Sequence, residues 1–156
     1  MGVDETIELS LQQLDDYEFR IRFDGTALAD LATDEAAPLG HNAGPNPARL
    51  LLAATANCLA ASLLFALRKF RNAPAPLRAK ARARIARNAQ GRWRVAGMEV
   101  DLQLADAATS LDHLDRALAQ FEDFCIVTES VRAGVPVAVR VRDGEGREVH
   151  ATGGTT

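Results

Sequence analysis

Cysteine is scarce in this chain: 156 residues hold two, Cys58 and Cys125, and 67 positions separate them. That is too few for a disulfide framework. The two cysteines and the three histidines, His41, His113 and His150, show no Cys-x-x-Cys or His-x-x-x-His spacing, so no metal site is expected. No glycine-rich phosphate loop occurs; Gly144-Glu145-Gly146 reads as a turn, and no cofactor is expected. Aromatic residues make up 5% of the chain, with a single Trp. Neither sign of charge dominates. A net charge of −3 predicts no strong overall attraction to nucleic acid or to anionic lipid. The opening MGVDETIELS has neither a basic start nor an apolar core, so it does not read as a secretory signal. A cytoplasmic, reducing location is therefore expected, where a structural disulfide does not persist. Repeats and low-complexity linkers are absent as well. The length fits one domain, placed at residues 1–150, with 151–156 expected to form a disordered tail.

What is present is alternation. Ile7, Leu9 and Leu11 alternate with polar residues, as do Tyr17, Phe19, Ile21 and Phe23. Each run predicts a half-buried strand, and the polar join at Leu14-Asp15-Asp16 predicts a hairpin. Residues 25–46 read as a loop with one short strand near Ala29–Ala32. Pro47 suits the first turn of a helix, where its missing N–H costs nothing. The helix is expected to run to Arg71, with Arg68, Lys69 and Arg71 at its negative end and Pro74 and Pro76 beyond it. Residues 79–85 and 95–104 predict a second, longer hairpin, and a parity change at Ala96-Gly97 predicts a bulge. Thr109 or Ser110 is expected to cap a second helix carrying Leu111, Leu114, Leu118, Phe121 and Cys125 on one stripe. A short helical turn follows near Thr128–Ala133. The strand Val135–Val141 and an edge strand through Val149 complete an α+β chain in which antiparallel hairpins pack on a long buried central helix.

Residues 50–67 carry no charge over 18 positions, the lower limit for a membrane span. Six of the 18 are Ala, however, and Thr55, Asn57 and Ser62 are polar. At least four amphipathic strands surround the run and need an apolar cover. A buried central helix satisfies both, and no membrane association is expected. One strand layer covers one side only, which predicts a homodimer to cover the other. Ten of the 18 Lys and Arg residues lie between Arg68 and Arg94. Lys80, Arg82 and Arg84 share a strand face opposite Glu99 and Asp101, so a salt-bridged solvent face is expected rather than a nucleic-acid platform.

Cys58 falls near the middle of the long helix, with small neighbours one turn away: Ala54, Thr55, Ala61 and Ser62. Such neighbours leave room for a ligand or for close approach of another element. Free cysteine is also among the most commonly buried residues, so a plain core role stays open for Cys58 and for Cys125. Sequence spacing does not decide whether the two meet.

The run Gly44-Pro45-Asn46-Pro47, the small-residue helix through Asn57-Cys58, and the later Phe124-Cys125-Ile126-Val127 before a Val-rich strand resemble the OsmC/Ohr superfamily, the osmotically inducible and organic hydroperoxide resistance proteins. The resemblance covers most of the chain. It implies an intertwined homodimer and a thiol peroxidase that reduces organic hydroperoxides and is recycled by a dithiol reductant. By resemblance, Cys58 matches the peroxidatic cysteine and Cys125 the resolving one. The chain departs from the pattern where members that reduce hydroperoxides carry a glutamate, nine or ten positions before the reactive cysteine; Arg49 and Ala48 stand there. A thiol without an activating charge is a few per cent thiolate at neutral pH. Arg49, about 13 Å of helix rise from Cys58, and His41 in the preceding loop are the candidate activating residues. The alternative is a non-peroxidase OsmC-like dimer that binds an apolar or thiol ligand near Cys58.

Overall fold

A computed structural model describes residues 4–153. The chain divides into two compact units, one ending at Leu50 and one beginning at Leu51.

The first unit is an antiparallel sheet in the order β1 (Leu9–Asp15), β2 (Glu18–Phe23), β3 (Leu31–Thr33). The expected hairpin forms, with Leu11 opposite Ile21 and Gln13 opposite Phe19, and Asp16 turns the chain at a φ of 38°. The half-burial expected of β1 is not found: all seven of its residues are exposed, and Leu9 and Leu11 project uncovered. β1 is an outermost strand of this three-stranded sheet. Beyond β3, Asp34 is 2% exposed and organises the loop that follows. Its carboxylate accepts the backbone N–H groups of Glu35 at 2.7 Å, His41 at 2.8 Å and Ala43 at 3.1 Å. The Ala43 and His41 bonds hold its carboxyl below the usual range, against the opposing effect of burial. The backbone of Gly40 lies against this carboxylate; a Cβ there would sit 2.2 Å from Asp34 Oδ1.

Helix α1 (Pro47–Lys69) begins as its sequence demands. Asn46 caps it, its Oδ1 accepting the Arg49 N–H at 3.0 Å, and Pro47 fills the first helical position. It ends two residues before the expected Arg71, which adopts a left-handed φ of 64°.

In the second unit a four-stranded sheet runs β4 (Arg78–Arg87), β5 (Trp93–Gln103), β6 (Val137–Arg142), β7 (Glu148–Thr152). The expected bulge is present: Arg84 pairs with Gly97 and Ile85 with Val95, leaving Ala96 as the extra residue. Strands β5 and β6 pair in parallel, so the sheet is not built of hairpins alone. On its outward face Arg82 bridges to Glu99 at 2.6 Å and to Asp101 at 3.9 Å, as the charge pattern predicts. Strand β7 takes in Ala151 and Thr152, two residues expected in the tail, because they pair with Arg140 and Val139 of β6. Residues 154–156 lie outside the described residues.

The second long helix is not continuous. His113 adopts a left-handed φ of 52°, and α2 spans Leu114–Gln120 only. A 3-10 turn at Glu122–Phe124 follows, and Cys125, at φ −84° and ψ 91°, interrupts the chain before α3 (Ile126–Arg132). A distant side chain claims the backbone that a longer helix would use. Asn72 donates to the Asp112 carbonyl at 2.8 Å and accepts the Asp112 N–H at 2.8 Å.

The core of this unit lies between α1 and the sheet. Leu59, Leu63 and Leu67 of α1 meet Met98, Val100 and Leu102 of β5 and Val137, Val139 and Val141 of β6, with Leu118, Phe121 and Cys125 closing one end. The alternate residues of β5 and β6 supply the inner face, as period-two patterning requires. Helix α1 is long and apolar enough to cross a membrane, with a mean hydropathy of 2.1 over its best 18-residue window, yet one side is committed to this core. Its own chain covers it on that side alone, as expected of a single strand layer. Thr55, Leu59, Ser62, Leu63, Ala66 and Leu67 are covered, while Ala53, Ala54, Asn57, Ala61 and Phe65 are open. A single sheet reaches one flank of a cylinder, which is the physical reason.

Candidate functional site: two free thiols

Cys58 lies half-buried on α1, on the edge of the core-facing side. Cys125 is 0% exposed at the start of α3. The fold brings them to the same core: Cys58 packs against the apolar cluster that contains Cys125, near enough to influence its thiol. Both cysteines are free.

Cys125 is held from three directions. Its N–H donates to the Glu122 carbonyl at 2.9 Å, and its carbonyl accepts the Glu129 N–H at 3.0 Å, the first turn of α3. Its thiol donates to Thr128 Oγ1 at 2.9 Å, and Thr128 is itself fully buried. Burial pushes the Cys125 thiol above its ordinary range, the contact with Cys58 adds to the rise, and Thr128 opposes it. Around Cys58 the small neighbours Ala54 and Ala61 are open, and Thr55 turns its hydroxyl inward to the Leu51 carbonyl at 2.9 Å.

The candidate activating residues look different. Arg49 and His41 are both exposed. Among the described residues, Arg49 enters no ion pair and His41 is held only through its backbone N–H. One carboxylate does reach the start of α1: Glu35 accepts from the Asn46 side chain at 3.1 Å. Arg20 and Arg22, on the exposed face of β2, lie 4.0 Å and 3.8 Å from Asp30.

Sequence reasoning missed a buried polar cluster next to Cys125. Glu122, 8% exposed, accepts hydrogen bonds from Thr152 Oγ1 at 2.6 Å and from Arg132 at 2.5 Å, and its other contact is His150 Nε2 at 2.6 Å. Arg132 also pairs with Glu129 at 2.5 Å. Burial pushes the Glu122 carboxyl up. His150, Thr152 and Arg132 together outweigh it and bring the pKa to about 2. The carboxylate thereby ties the turn before Cys125 to α3 and to β7. A charged residue inside the apolar stripe of Leu118, Phe121 and Cys125 was the one sequence signal for it; its partners lie 10 to 30 positions away. Among the described residues no group of three or more His, Cys, Asp or Glu side chains is arranged to hold a metal ion.

The fold is α+β, one long helix on a sheet, with two free thiols at the core beneath that helix. The family model for OsmC-like protein matches residues 40–140, a stretch that holds α1, the β4–β5 hairpin and both cysteines. The chain belongs to the OsmC-like family. Solved structures agree on the fold. An OsmC-like protein of unknown function from Vibrio cholerae superposes with a TM-score of 0.74 at 16% identity, over 88% of this chain and 99% of that one. An organic hydroperoxide resistance protein from Elizabethkingia anophelis gives 0.69 at 16%, over 92% and 99%. The organic hydroperoxide resistance protein OhrB of Bacillus subtilis gives 0.64 at 17%, over 88% and 98%. Comparison with curated proteins finds no match.

Proposed function

We propose that the protein is a thiol peroxidase that reduces organic hydroperoxides through Cys58 and Cys125. The observation that carries this reading is that the OsmC-like match spans two free cysteines that the fold gathers at one core cluster. In the first step the Cys58 thiolate attacks the outer oxygen of the hydroperoxide. An S–O bond forms, the O–O bond breaks, and the departing alkoxide takes a proton to leave as an alcohol. Cys58 is then a sulfenic acid. In the second step the Cys125 sulfur attacks the Cys58 sulfur. An S–S bond forms, the S–O bond breaks, and hydroxide leaves as water with the Cys125 proton. A dithiol reductant then reopens the disulfide by exchange and is itself oxidised. A reducing, cytoplasmic setting supplies such a reductant.

The working unit is a homodimer in this reading. The open side of α1 carries Ala53, Ala54, Asn57, Ala61 and Phe65, and it continues into an exposed aromatic patch. Phe65 and Phe124 stack edge to face at 5.3 Å, with Lys69 over Phe124 and Ile126 81% exposed beside it. A surface this apolar is suited to a second copy. In this reading Arg49, about 13 Å of helix rise from Cys58, acts through a substrate or from a partner subunit, and His41 is the other candidate base.

The raised Cys125 thiol, with Ala48 and Arg49 in place of a carboxylate, favours a second reading: a ligand-binding dimer in which the cysteines do not cycle. Thiol titration before and after one equivalent of cumene hydroperoxide separates the two. Peroxidase action removes two thiols from the wild type, none from Cys58→Ser and one from Cys125→Ser. Unchanged thiols in the wild type, with normal alkylation of Cys58, overturn the peroxidase and leave the binding reading.

A further inference from the structure

The sheet of the second unit has a hollow on the face turned away from α1. It encloses about 400 Å³ and is ringed by Arg82, Arg84 and Glu99 over a floor of Gly97, Ala138 and Gly153. Strand register explains it. On this face Arg82, Glu99 and Ala138 stand in one row across the sheet, and Arg84 stands opposite Gly97 in the next. Long side chains therefore border positions that have almost none. The bulge at Ala96 bends β5 at the same point. Gly153, at a φ of 63°, folds back on β6, where a Cβ would meet the Val137 carbonyl at 2.6 Å. The floor is apolar and shallow by construction, and its volume lies within the range of small-molecule sites.

The charges are unequal. Arg82 is satisfied by Glu99, at 2.6 Å. Arg84 enters no ion pair or side-chain hydrogen bond among the described residues, though it belongs to a rim whose one acid is already engaged. A guanidinium over an uncharged floor matches a carboxylate with a short apolar tail: the head pairs with Arg84 and the tail lies on Gly97, Ala138 and Gly153. We infer that this hollow is a binding site for a small aliphatic carboxylate, on the side of the sheet opposite the two cysteines.

Octanoate is the probe. Titrated into the ¹⁵N-labelled full chain, it is expected to shift the amides of Gly97, Ala138 and Gly153 saturably, in the wild type and in Cys58→Ser alike. Octanol at equal concentration is expected to bind at least tenfold more weakly. Arg84→Gln should weaken octanoate about tenfold, and Gly97→Leu should abolish binding by filling the floor. A Cβ at Gly97 meets nothing nearer than 3.6 Å, so that variant has room to fold. No saturable shift at these three amides overturns the proposal. So does a dissociation constant that Arg84→Gln leaves unchanged. Shifts confined to residues around Cys58, and lost in Cys58→Ser, also overturn it.

Discussion

The Glu122 cluster allows a quantitative test by replacing Glu122 with Gln, which keeps the shape of the side chain and removes its charge. In the folded protein the carboxyl titrates at about 2, against 4.5 when unperturbed. A group whose pKa falls on folding adds stability above its unfolded pKa and loses it as pH drops through the folded one. The difference between 4.5 and about 2, at 1.36 kcal/mol per pH unit, is about 3 kcal/mol at pH 7. The side chain is 10% exposed, so solvent screening removes little of this. At pH 3 the unfolded state is already protonated and the folded state is not, and the same linkage leaves roughly half of that. Urea denaturation of wild type and Glu122→Gln at pH 7 and pH 3 measures both gaps. The expected result is a wild type more stable by about 3 kcal/mol at pH 7 and by roughly half of that at pH 3. Equal stabilities at pH 7, or a gap that does not shrink on acidification, would refute the claim that Arg132, His150 and Thr152 stabilise an ionised Glu122.

Two further outcomes follow from the site and from the open helix face. Thr128→Val removes the hydroxyl that opposes the rise of the Cys125 thiol. The pH dependence of disulfide formation after peroxide should shift to higher pH, with the Cys58 oxidation step unchanged in stopped-flow traces; an unshifted profile would count against Thr128 acting on Cys125. Phe65→Glu places a charge on the uncovered side of α1, where Phe65 is 57% exposed and absent from the core. Analytical ultracentrifugation should show a dimer in the wild type and a monomer in the variant, and a wild type that sediments as a monomer would sink the dimer reading.

Much of the frame was legible because it rests on local rules. Pro47 opens α1, the parity change at Ala96-Gly97 marks the bulge, and alternating valines mark β6. The stripe through Leu114, Leu118, Phe121 and Cys125 was legible as apolar but misled as to continuity. Helical periodicity reports which residues face a core and is blind to a backbone whose donor and acceptor are taken by Asn72 from far along the chain. The site was half legible. The resemblance pointed to both cysteines, whereas Thr128, Glu122 and Arg132 gave no motif, since a short polar residue or an acid beside a cysteine is common and its partner is not adjacent.

By itself the sequence determined where regular structure begins, alternates and stops, because capping, proline geometry and hydrophobic period act over a few residues. Tertiary structure alone decided that β5 and β6 run in parallel, that the second helix breaks at Cys125, and that both cysteines come to one core cluster. Those outcomes depend on contacts between groups remote in the chain, whose free energies are settled only when the whole core closes around them.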